Sequence, residues 1–373
     1  MSSYNGLAGR ARGVGLATLG LVFAVLAVRG AFRPGNDFVS YHRSGAWFLA
    51  GRDLYSFGKL MPYRYVPGIT AIFAPFSALS FPAARAAWSA LTAALAFAAA
   101  LWMDRRVGAS RSLAVPLAWL CLLQPLSQEL SHGQVDALVL VLALAAFDAE
   151  DRGWEVPAGV LVALAAALKA APIVLALDWL LRRRWRALAG VALGAALLAV
   201  APVPTYGWAG TIQQHLHFLG LNAGDIQARR GEPANQSLWS MAHQLHLGFA
   251  GGALACGALL ATVLSAKDRT RRRLLVLATV PLVSGYGWPQ GFILAAPLLA
   301  ELLAGDRDVA WPAGALAAGF SLLSYDVAGI RGEAWAHEHR VLGALLLAVV
   351  LVGRASAARL ARWKPHPPPL ASA

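Results

Sequence analysis

The polar side chains of this 373-residue sequence that could carry out chemistry lie mainly between its apolar segments. A carboxylate that closely follows the first apolar segment, such as Asp37, could act as a general base toward a hydroxyl group. Nearby arginine and lysine side chains could neutralise a phosphate leaving group. A base and such cations together are what sugar transfer from a lipid phosphate requires. The polar set comprises Asp37, His42, Asp53, Arg64, Glu129, His132, Gln134, Asp136, Asn235, Gln236 and His243.

The loop between the first two apolar segments, residues 30–83, is unusually basic for the side of the membrane on which it is predicted to lie. Lipid headgroups alone explain such charges, since each side chain near an anionic surface contributes about 1 kcal/mol. The other explanation is an anionic substrate, such as a lipid phosphate, held at the outer membrane surface. The basic residues are Arg33, Arg43, Arg52, Lys59 and Arg64.

Lys169 lies inside an apolar segment, just ahead of Pro172. A charge at membrane depth costs about 2.5–3.5 kcal/mol on insertion scales, so it marks a candidate functional site. Alternatively, Lys169 extends along the end of a helix to place its ammonium group at the interface. Both interpretations stay open on the sequence.

The elements that must position these residues are membrane helices. The composition is 58% hydrophobic and 14% charged, which suits a bilayer better than water. Because the apolar segments show no strict alternation, they predict helices and not a β-barrel. The predicted fold is all-α, a polytopic transmembrane bundle of about ten to twelve spans. The apolar segments are 14–31, 84–103, 113–123, 135–147, 156–171, 172–181, 187–203, 249–264, 274–284, 292–303, 309–323 and 341–352.

The formal charge of +13 comes mostly from short arginine-rich clusters between apolar segments. Such clusters orient membrane proteins with their basic loops in the cytoplasm, so no nucleic-acid partner is expected. The pattern predicts one integral membrane domain, residues 1–364, with a disordered cytoplasmic tail, residues 365–373. The protein is thus expected in the cytoplasmic membrane as a multi-pass protein, with its polar site facing the exterior.

Known catalytic motifs are absent from the sequence. It contains no HExxH, P-loop or GxSxG pattern, which removes support for metalloprotease, nucleotide hydrolase and serine hydrolase chemistry. Cys121 and Cys256 lie in apolar segments, where thiols usually behave as small hydrophobic groups. Neither a metal site nor a cofactor is predicted.

Six stretches together resemble the GT87 family of membrane glycosyltransferases, also called DUF2029. Each is short, but they occur in the family's order, and the resemblance covers residues 36–303. The stretches are Asn36-Asp37-Phe38-Val39-Ser40-Tyr41-His42, Ala50-Gly51-Arg52-Asp53-Leu54-Tyr55, Tyr63-Arg64-Tyr65-Val66-Pro67, His132-Gly133-Gln134-Val135-Asp136, Ala166-Ala167-Leu168-Lys169 and Asn235-Gln236-Ser237-Leu238-Trp239.

The resemblance implies the GT-C fold and a polyprenyl-phosphate sugar as donor. Family members include phosphatidylinositol-mannoside mannosyltransferases and arabinofuranosyltransferases, so mannose is favoured and arabinofuranose is the alternative. The expected partners are this donor, a lipid or glycan hydroxyl acceptor, and membrane lipids. The resemblance also implies that Asp37 is the catalytic base.

Several of the assigned residues have a structural alternative. Asp37 could pair with Arg33 or Arg43, and Asp53 could order a turn. His132 and Gln134 could cap helix ends, and the stretch from Asn235 could do the same. The predicted donor-phosphate ligands are Arg64, Lys169 and Arg43, and the predicted substrate-binding residues are Asp53, Tyr41, His132, Gln134, Asn235 and Gln236.

Two departures from the family pattern leave other functions open. Residues 283–291 lack the family's histidine, and His132 stands where asparagine is usual. A lipid or solute transporter is one alternative, although transporters usually concentrate polar residues near the membrane midplane and show internal repeats. An inactive scaffold is the other.

Overall fold

The computed structural model describes residues 2–56, 62–107, 113–228, 232 and 235–304. In these ranges every regular element is helical, which confirms the all-α prediction. The predicted apolar segments 309–323 and 341–352 and the tail 365–373 lie outside the described residues.

The first four helices build the region around Asp37. Pro34 follows the first helix and Gly35 adopts a left-handed conformation, with φ of 62°, so that the chain turns sharply into the second. The buried face of the second helix places Phe38 against Trp88, with ring centroids 5.6 Å apart. The helices are α1 (Ser2–Ala31), α2 (Asn36–Leu49), α3 (Ala74–Ser77) and α4 (Phe81–Val107), with a 3-10 helix at Pro67–Ile72 before α3.

The next six helices follow α4 along the chain. They include a bend of 116° between Leu123–His132 and Asp136–Asp151, at the position of Gly133. The helices are α5 (Ala114–Cys121), α6 (Leu123–His132), α7 (Asp136–Asp151), α8 (Glu155–Leu168), α9 (Leu175–Leu181) and α10 (Trp185–Val200), with a 3-10 helix at Ala171–Val174 before α9.

The last five described helices complete the bundle. The first of them makes an angle of 98° with α10, over Val203–Asp225. Sequence analysis assigned no helix to this stretch. The helices are α11 (Val203–Ala228), α12 (Leu238–Gln244), α13 (Gly248–Leu264), α14 (Arg269–Val283) and α15 (Ala296–Ala304), with a 3-10 helix at Pro289–Ala295 before α15.

Two of the described helices are long and apolar enough to cross a membrane, over Gly9–Ala31 and Phe81–Val107. The number rises to four if each bent pair, α6 with α7 and α10 with α11, counts as one span. Four further apolar helical stretches in the described ranges are shorter, at 10–17 residues. The predicted total of ten to twelve spans therefore stays a prediction.

Ion pairs join several arginine-rich segments at one end of the bundle. On α4, Asp104 pairs with Arg12 of α1, and Arg106 contacts Asp148 and Asp151 at the end of α7. Arg273 of α14 also contacts Asp151, at 2.7 Å. These pairs join the basic segments of α1, α4 and α14 to the last turn of α7 and its neighbours.

Both the backbone conformation at position 133 and the surrounding atoms require a glycine there. Its φ is 71°, and a Cβ atom there would lie 2.7 Å from the Cβ of Phe38. Gly133→Ala is expected to destabilise the protein by about 1–2 kcal/mol from the left-handed backbone, and by about 1–3 kcal/mol more from the clash. Thermal unfolding in detergent measures the loss.

Gly153→Ala is the matched control, because Gly153 has φ of 80° but no atom within 4 Å of an added Cβ. It should show the backbone cost alone. Equal losses for the two variants would contradict the proposed contact between Gly133 and Phe38.

Candidate active site

Asp37 lies in the first turn of α2 and is half-buried. Its Oδ2 accepts a hydrogen bond from Gln134 Nε2 at 2.5 Å. Gln134 comes from the bend between α6 and α7, almost a hundred residues later in the sequence. A candidate base is therefore oriented by a buried amide from another element.

The position of Gln134 depends on contacts that hold the bend. Trp88 Nε1 donates to the carbonyl of Gly133 at 2.9 Å. The buried guanidinium group of Arg85 donates to the carbonyls of Leu130 and Ser131 at the end of α6, where the helix leaves such groups unsatisfied. Sequence analysis gave no role to Arg85 or Trp88.

Tyr41 is buried beneath Asp37, one helical turn along α2. Its ring stacks on Phe73 with centroids 4.6 Å apart. Its hydroxyl lies 2.5 Å from that of Tyr65 and 3.4 Å from Oε1 of Gln134. These contacts favour a positioning role for Tyr41, whereas direct substrate binding stays a prediction.

Tyr65 lies near two carboxylates of the site. Burial raises the pKa of its hydroxyl well above the ordinary value, and the charge of Asp37 and, more weakly, that of Asp136 act in the same direction. The phenol is therefore neutral at physiological pH and keeps its proton for hydrogen bonding. Although it belongs to a family-like stretch, Tyr65 was not among the predicted site residues.

Lys169 is held inside the protein by an ion pair. The helix α8 ends at Leu168, and the extended backbone of Lys169 directs its Nζ to Oδ2 of Asp136, at 2.6 Å. The side chain of Asp136 is fully buried, and that of Lys169 is 19% exposed. The ion pair explains how a lysine is accommodated in an apolar segment, and both interpretations of Lys169 stay predictions.

Asp136 completes the environment of Lys169 together with Glu129. Glu129 is fully buried, and its Oε1 accepts a hydrogen bond from the backbone of Ala137 at 3.0 Å. Both acids belong to the polar set named from the sequence, where no role was predicted for them. A charged Lys169 within an apolar segment requires a partner, and that requirement could have identified Asp136.

Residues 134–136 connect the candidate base to the candidate phosphate-binding cation. Gln134 contacts Asp37, and Asp136 contacts Lys169. The two Cα atoms of residues 134 and 136 can be at most about 7 Å apart. The stretch therefore links the candidate base to the cation through two successive contacts.

Arg64 has a different carboxylate partner. Its Nε lies 2.5 Å from Oδ2 of Asp225, near the end of α11. Tyr286 donates a hydrogen bond to the same oxygen at 2.7 Å. The predicted meeting of Arg64 and Lys169 at one phosphate stays a prediction, and no sequence signal pointed to Asp225.

Three other predicted residues lie in different surroundings. Arg43 is on the exposed side of α2, about 200° around the helix from the buried Tyr41. Asp53 accepts from the backbone of Tyr55 at 3.1 Å and contacts His217 at 3.0 Å, as its turn-ordering alternative requires. His132 is the last residue of α6 and is half-buried.

Asn235 fixes a neighbouring backbone segment. Its Oδ1 accepts from the backbone of Gly287 at 2.9 Å, and its Nδ2 donates to the carbonyl of Gly285 at 3.0 Å. The backbone of Gln236 donates to Gly287 at 2.8 Å, and Ser237 caps α12. These contacts favour the structural alternative for the stretch, and substrate binding by Asn235 and Gln236 stays a prediction.

Replacement of Asn235 should therefore affect stability. Asn235→Ala leaves buried backbone groups of the 285–287 segment unpaired, and each such group costs about 1–3 kcal/mol. Thermal unfolding measures the loss, with Asn222→Ala as a control, because Asn222 bonds only the Phe218 carbonyl of its own helix among the contacts described. A normal unfolding temperature with a raised substrate KM would contradict the structural role.

Comparison with known proteins places the chain in a family. The model of glycosyltransferase family 87 matches residues 63–285, more than half of the chain. The matched range contains Arg64, Gln134 and Lys169, whereas Asp37 precedes it.

Three curated relatives are similar to the chain. A polyprenol-phosphate-mannose-dependent alpha-(1-2)-phosphatidylinositol mannoside mannosyltransferase of Mycolicibacterium smegmatis is 28% identical over 83% of this chain and 82% of its own. The similarly named enzyme of Mycobacterium tuberculosis is 30% identical over 40% of each chain. A pentamannoside mannosyltransferase of Mycolicibacterium smegmatis with the same donor dependence is 32% identical over 35% of this chain and 32% of its own.

Among solved structures, the chain is similar to ArnT from Cupriavidus metallidurans bound to undecaprenyl phosphate. The TM-score is 0.43 at 17% sequence identity, covering 91% of this chain and 78% of ArnT. The match to the family model is the finding that decides membership. The chain belongs to glycosyltransferase family 87, as its motifs predicted, and is a membrane glycosyltransferase.

Proposed function

We propose that this protein transfers mannose from a polyprenyl-phosphate donor to a hydroxyl group of a lipid or glycan acceptor. The observation that supports the proposal is the arrangement around residues 134–136, where Gln134 contacts the Asp37 carboxylate and Asp136 contacts the Lys169 ammonium group. The names of the three relatives support the choice of donor and sugar.

The proposed reaction is a direct displacement at the anomeric carbon. Asp37 accepts the proton of the acceptor hydroxyl while the oxygen of that hydroxyl forms the new bond to the sugar. The bond between the anomeric carbon and the phosphate oxygen breaks, and its electron pair leaves with the polyprenyl phosphate. Lys169 stabilises the charge that develops on this phosphate. Direct displacement inverts the configuration of the anomeric carbon.

We further propose that the reaction takes place at the outer face of the cytoplasmic membrane. The helix α7 carries Asp136 in its first turn and Asp151 in its last, so the site and the ion-paired end lie about 22 Å apart along its axis. Basic ends of membrane proteins face the cytoplasm, which would place Asp37 on the opposite side.

The test is transfer by the purified protein in proteoliposomes. Labelled polyprenyl-phosphate mannose and polyprenyl-phosphate arabinose are supplied separately with an envelope-lipid extract. A mannosylated product with inverted anomeric configuration is the expected result. A product from the arabinose donor alone would assign the alternative sugar, and consumption of neither donor would contradict the proposal.

A further inference from the structure

The helix α11 runs nearly at right angles to α10. The angle between them is 98°, and within α11 Gly207 breaks the helical backbone with φ of 65° and ψ of 177°. The apolar helix α10 packs beside α8 in the bundle. If α10 follows the membrane normal, α11 must lie close to the membrane plane.

The outward face of α11 is apolar. Four large side chains occur at intervals of three or four residues, which places them on one side of a helix. The stretch 208–224 contains no Asp, Glu, Lys or Arg. The four side chains are between 58% and 66% exposed: Trp208, Ile212, Leu216 and Leu219.

The inward face of α11 makes polar contacts with the loop that follows α2. Gln214 is buried and accepts a hydrogen bond from the backbone of Leu54 at 3.0 Å. His217 contacts Asp53, also at 3.0 Å. Phe218 and Leu221 of α11 also pack against the core, so the helix has apolar side chains on both sides. A helix at a water-exposed surface would instead have polar side chains on its outward face. This arrangement therefore requires an apolar environment outside the protein.

The neighbouring surface indicates what that environment is. Leu193, Leu197 and Val200 on α10 are also exposed and lead toward the start of α11. Because α10 belongs to a membrane protein, its exposed apolar side chains face lipid, and the outward face of α11 continues this surface. The charge-free stretch 208–224, with a tryptophan at one end, suits the region just below the headgroups.

We propose that α11 lies in the plane of the membrane, with Trp208, Ile212, Leu216 and Leu219 inserted among the lipid acyl chains on the Asp37 side. The pairing of Asp225 with Arg64 then connects this leaflet to the candidate site. Lipid-linked substrates would meet Arg64 at the level of their headgroups. The membrane position of α11 does not depend on the identity of the sugar or on catalysis.

Spin-label accessibility in proteoliposomes tests the proposal without donor or acceptor. Labels are attached to Ile212→Cys, Leu216→Cys and Leu219→Cys, in a chain whose two buried cysteines are replaced by alanine. Collisions with oxygen report hydrocarbon, and collisions with a nickel chelate report water. Leu254→Cys on the exposed side of α13 serves as the lipid reference, and Thr270→Cys at the ion-paired end as the water reference.

Oxygen collisions should dominate at all three α11 positions, with similar depths. Transverse insertion would instead change the depth by about 10 Å between positions 212 and 219, from the rise of 1.5 Å per residue. Such a change would overturn the proposal, as would nickel accessibility equal to that of Thr270→Cys. Low collision rates with both reagents would also overturn it, because they would show that protein covers the face.

Discussion

Replacement of Asp37 by asparagine should lower kcat for sugar transfer by about 100- to 10,000-fold, the range that general-base catalysis usually contributes. Asparagine has nearly the same shape but cannot accept the acceptor's proton. Because the lysine at the proposed phosphate position is unchanged, the KM for the donor should change little. Product formation at saturating donor, with a titration of each substrate, separates the two effects.

Asp53→Asn is the matched control for Asp37→Asn. Asp53 is also a half-buried carboxylate in the segment between α1 and α4, but its contacts are with Tyr55 and His217. Its replacement should leave kcat within a few-fold of the wild-type value. If Asp37→Asn retains wild-type product yield, Asp37 is not the base. If both variants lose activity equally, the loss reflects a disturbed structure around α2 and the turn after it, and not the loss of proton transfer.

The sequence predicted the parts of the site that depend on local motifs. Asp37 follows the first long helix, Gln134 follows a glycine at a helix end, and Lys169 stands out as a charge in an apolar segment. The contacts that these residues make with distant parts of the chain could not be predicted from local motifs. Contacts such as that between Arg64 and Asp225 join residues 161 positions apart, and no local pattern specifies them.

Local motifs also do not show which contacts a polar side chain makes, so some substrate-binding predictions are not supported by the geometry. Asn235 belongs to a family-like stretch, and its polar side chain suggests a ligand contact. In the structure the amide instead fixes the backbone of Gly285 and Gly287, and thereby holds Tyr286 beside Asp225. Its influence on the site is indirect, through the partner of Arg64.

The helix α11 was missed because it combines apolar and polar positions. Gln214 and His217 lower its hydropathy, so it does not resemble a membrane span. Spacing at Trp208, Ile212 and Leu216 is helical, but the sequence does not tell which face points outward. The contacts of Gln214 and His217 with the loop after α2 show which face points inward.

Replacement of Lys169 by methionine should lower thermal stability and raise the KM for the donor, because Lys169 pairs with a buried carboxylate. Lys169→Met leaves the fully buried carboxylate of Asp136 without its cation. Removing one partner of a buried ion pair costs about 3–5 kcal/mol, so the unfolding temperature should fall markedly. The KM for the donor should rise more than the KM for the acceptor, because the lost cation is proposed to bind the donor phosphate. Equal increases in both KM values would contradict that role.

The double variant Lys169→Met/Asp136→Asn separates stability from catalysis. Neutralising both members removes the uncompensated charge, so most of the lost thermal stability should return. Transfer activity should not return, because asparagine and methionine supply no positive charge to the phosphate. If activity recovers along with stability, Lys169 serves only to balance Asp136, and the donor phosphate must be bound by another cation. Arg64 would then be the first candidate, since its pairing with Asp225 is independent of Lys169.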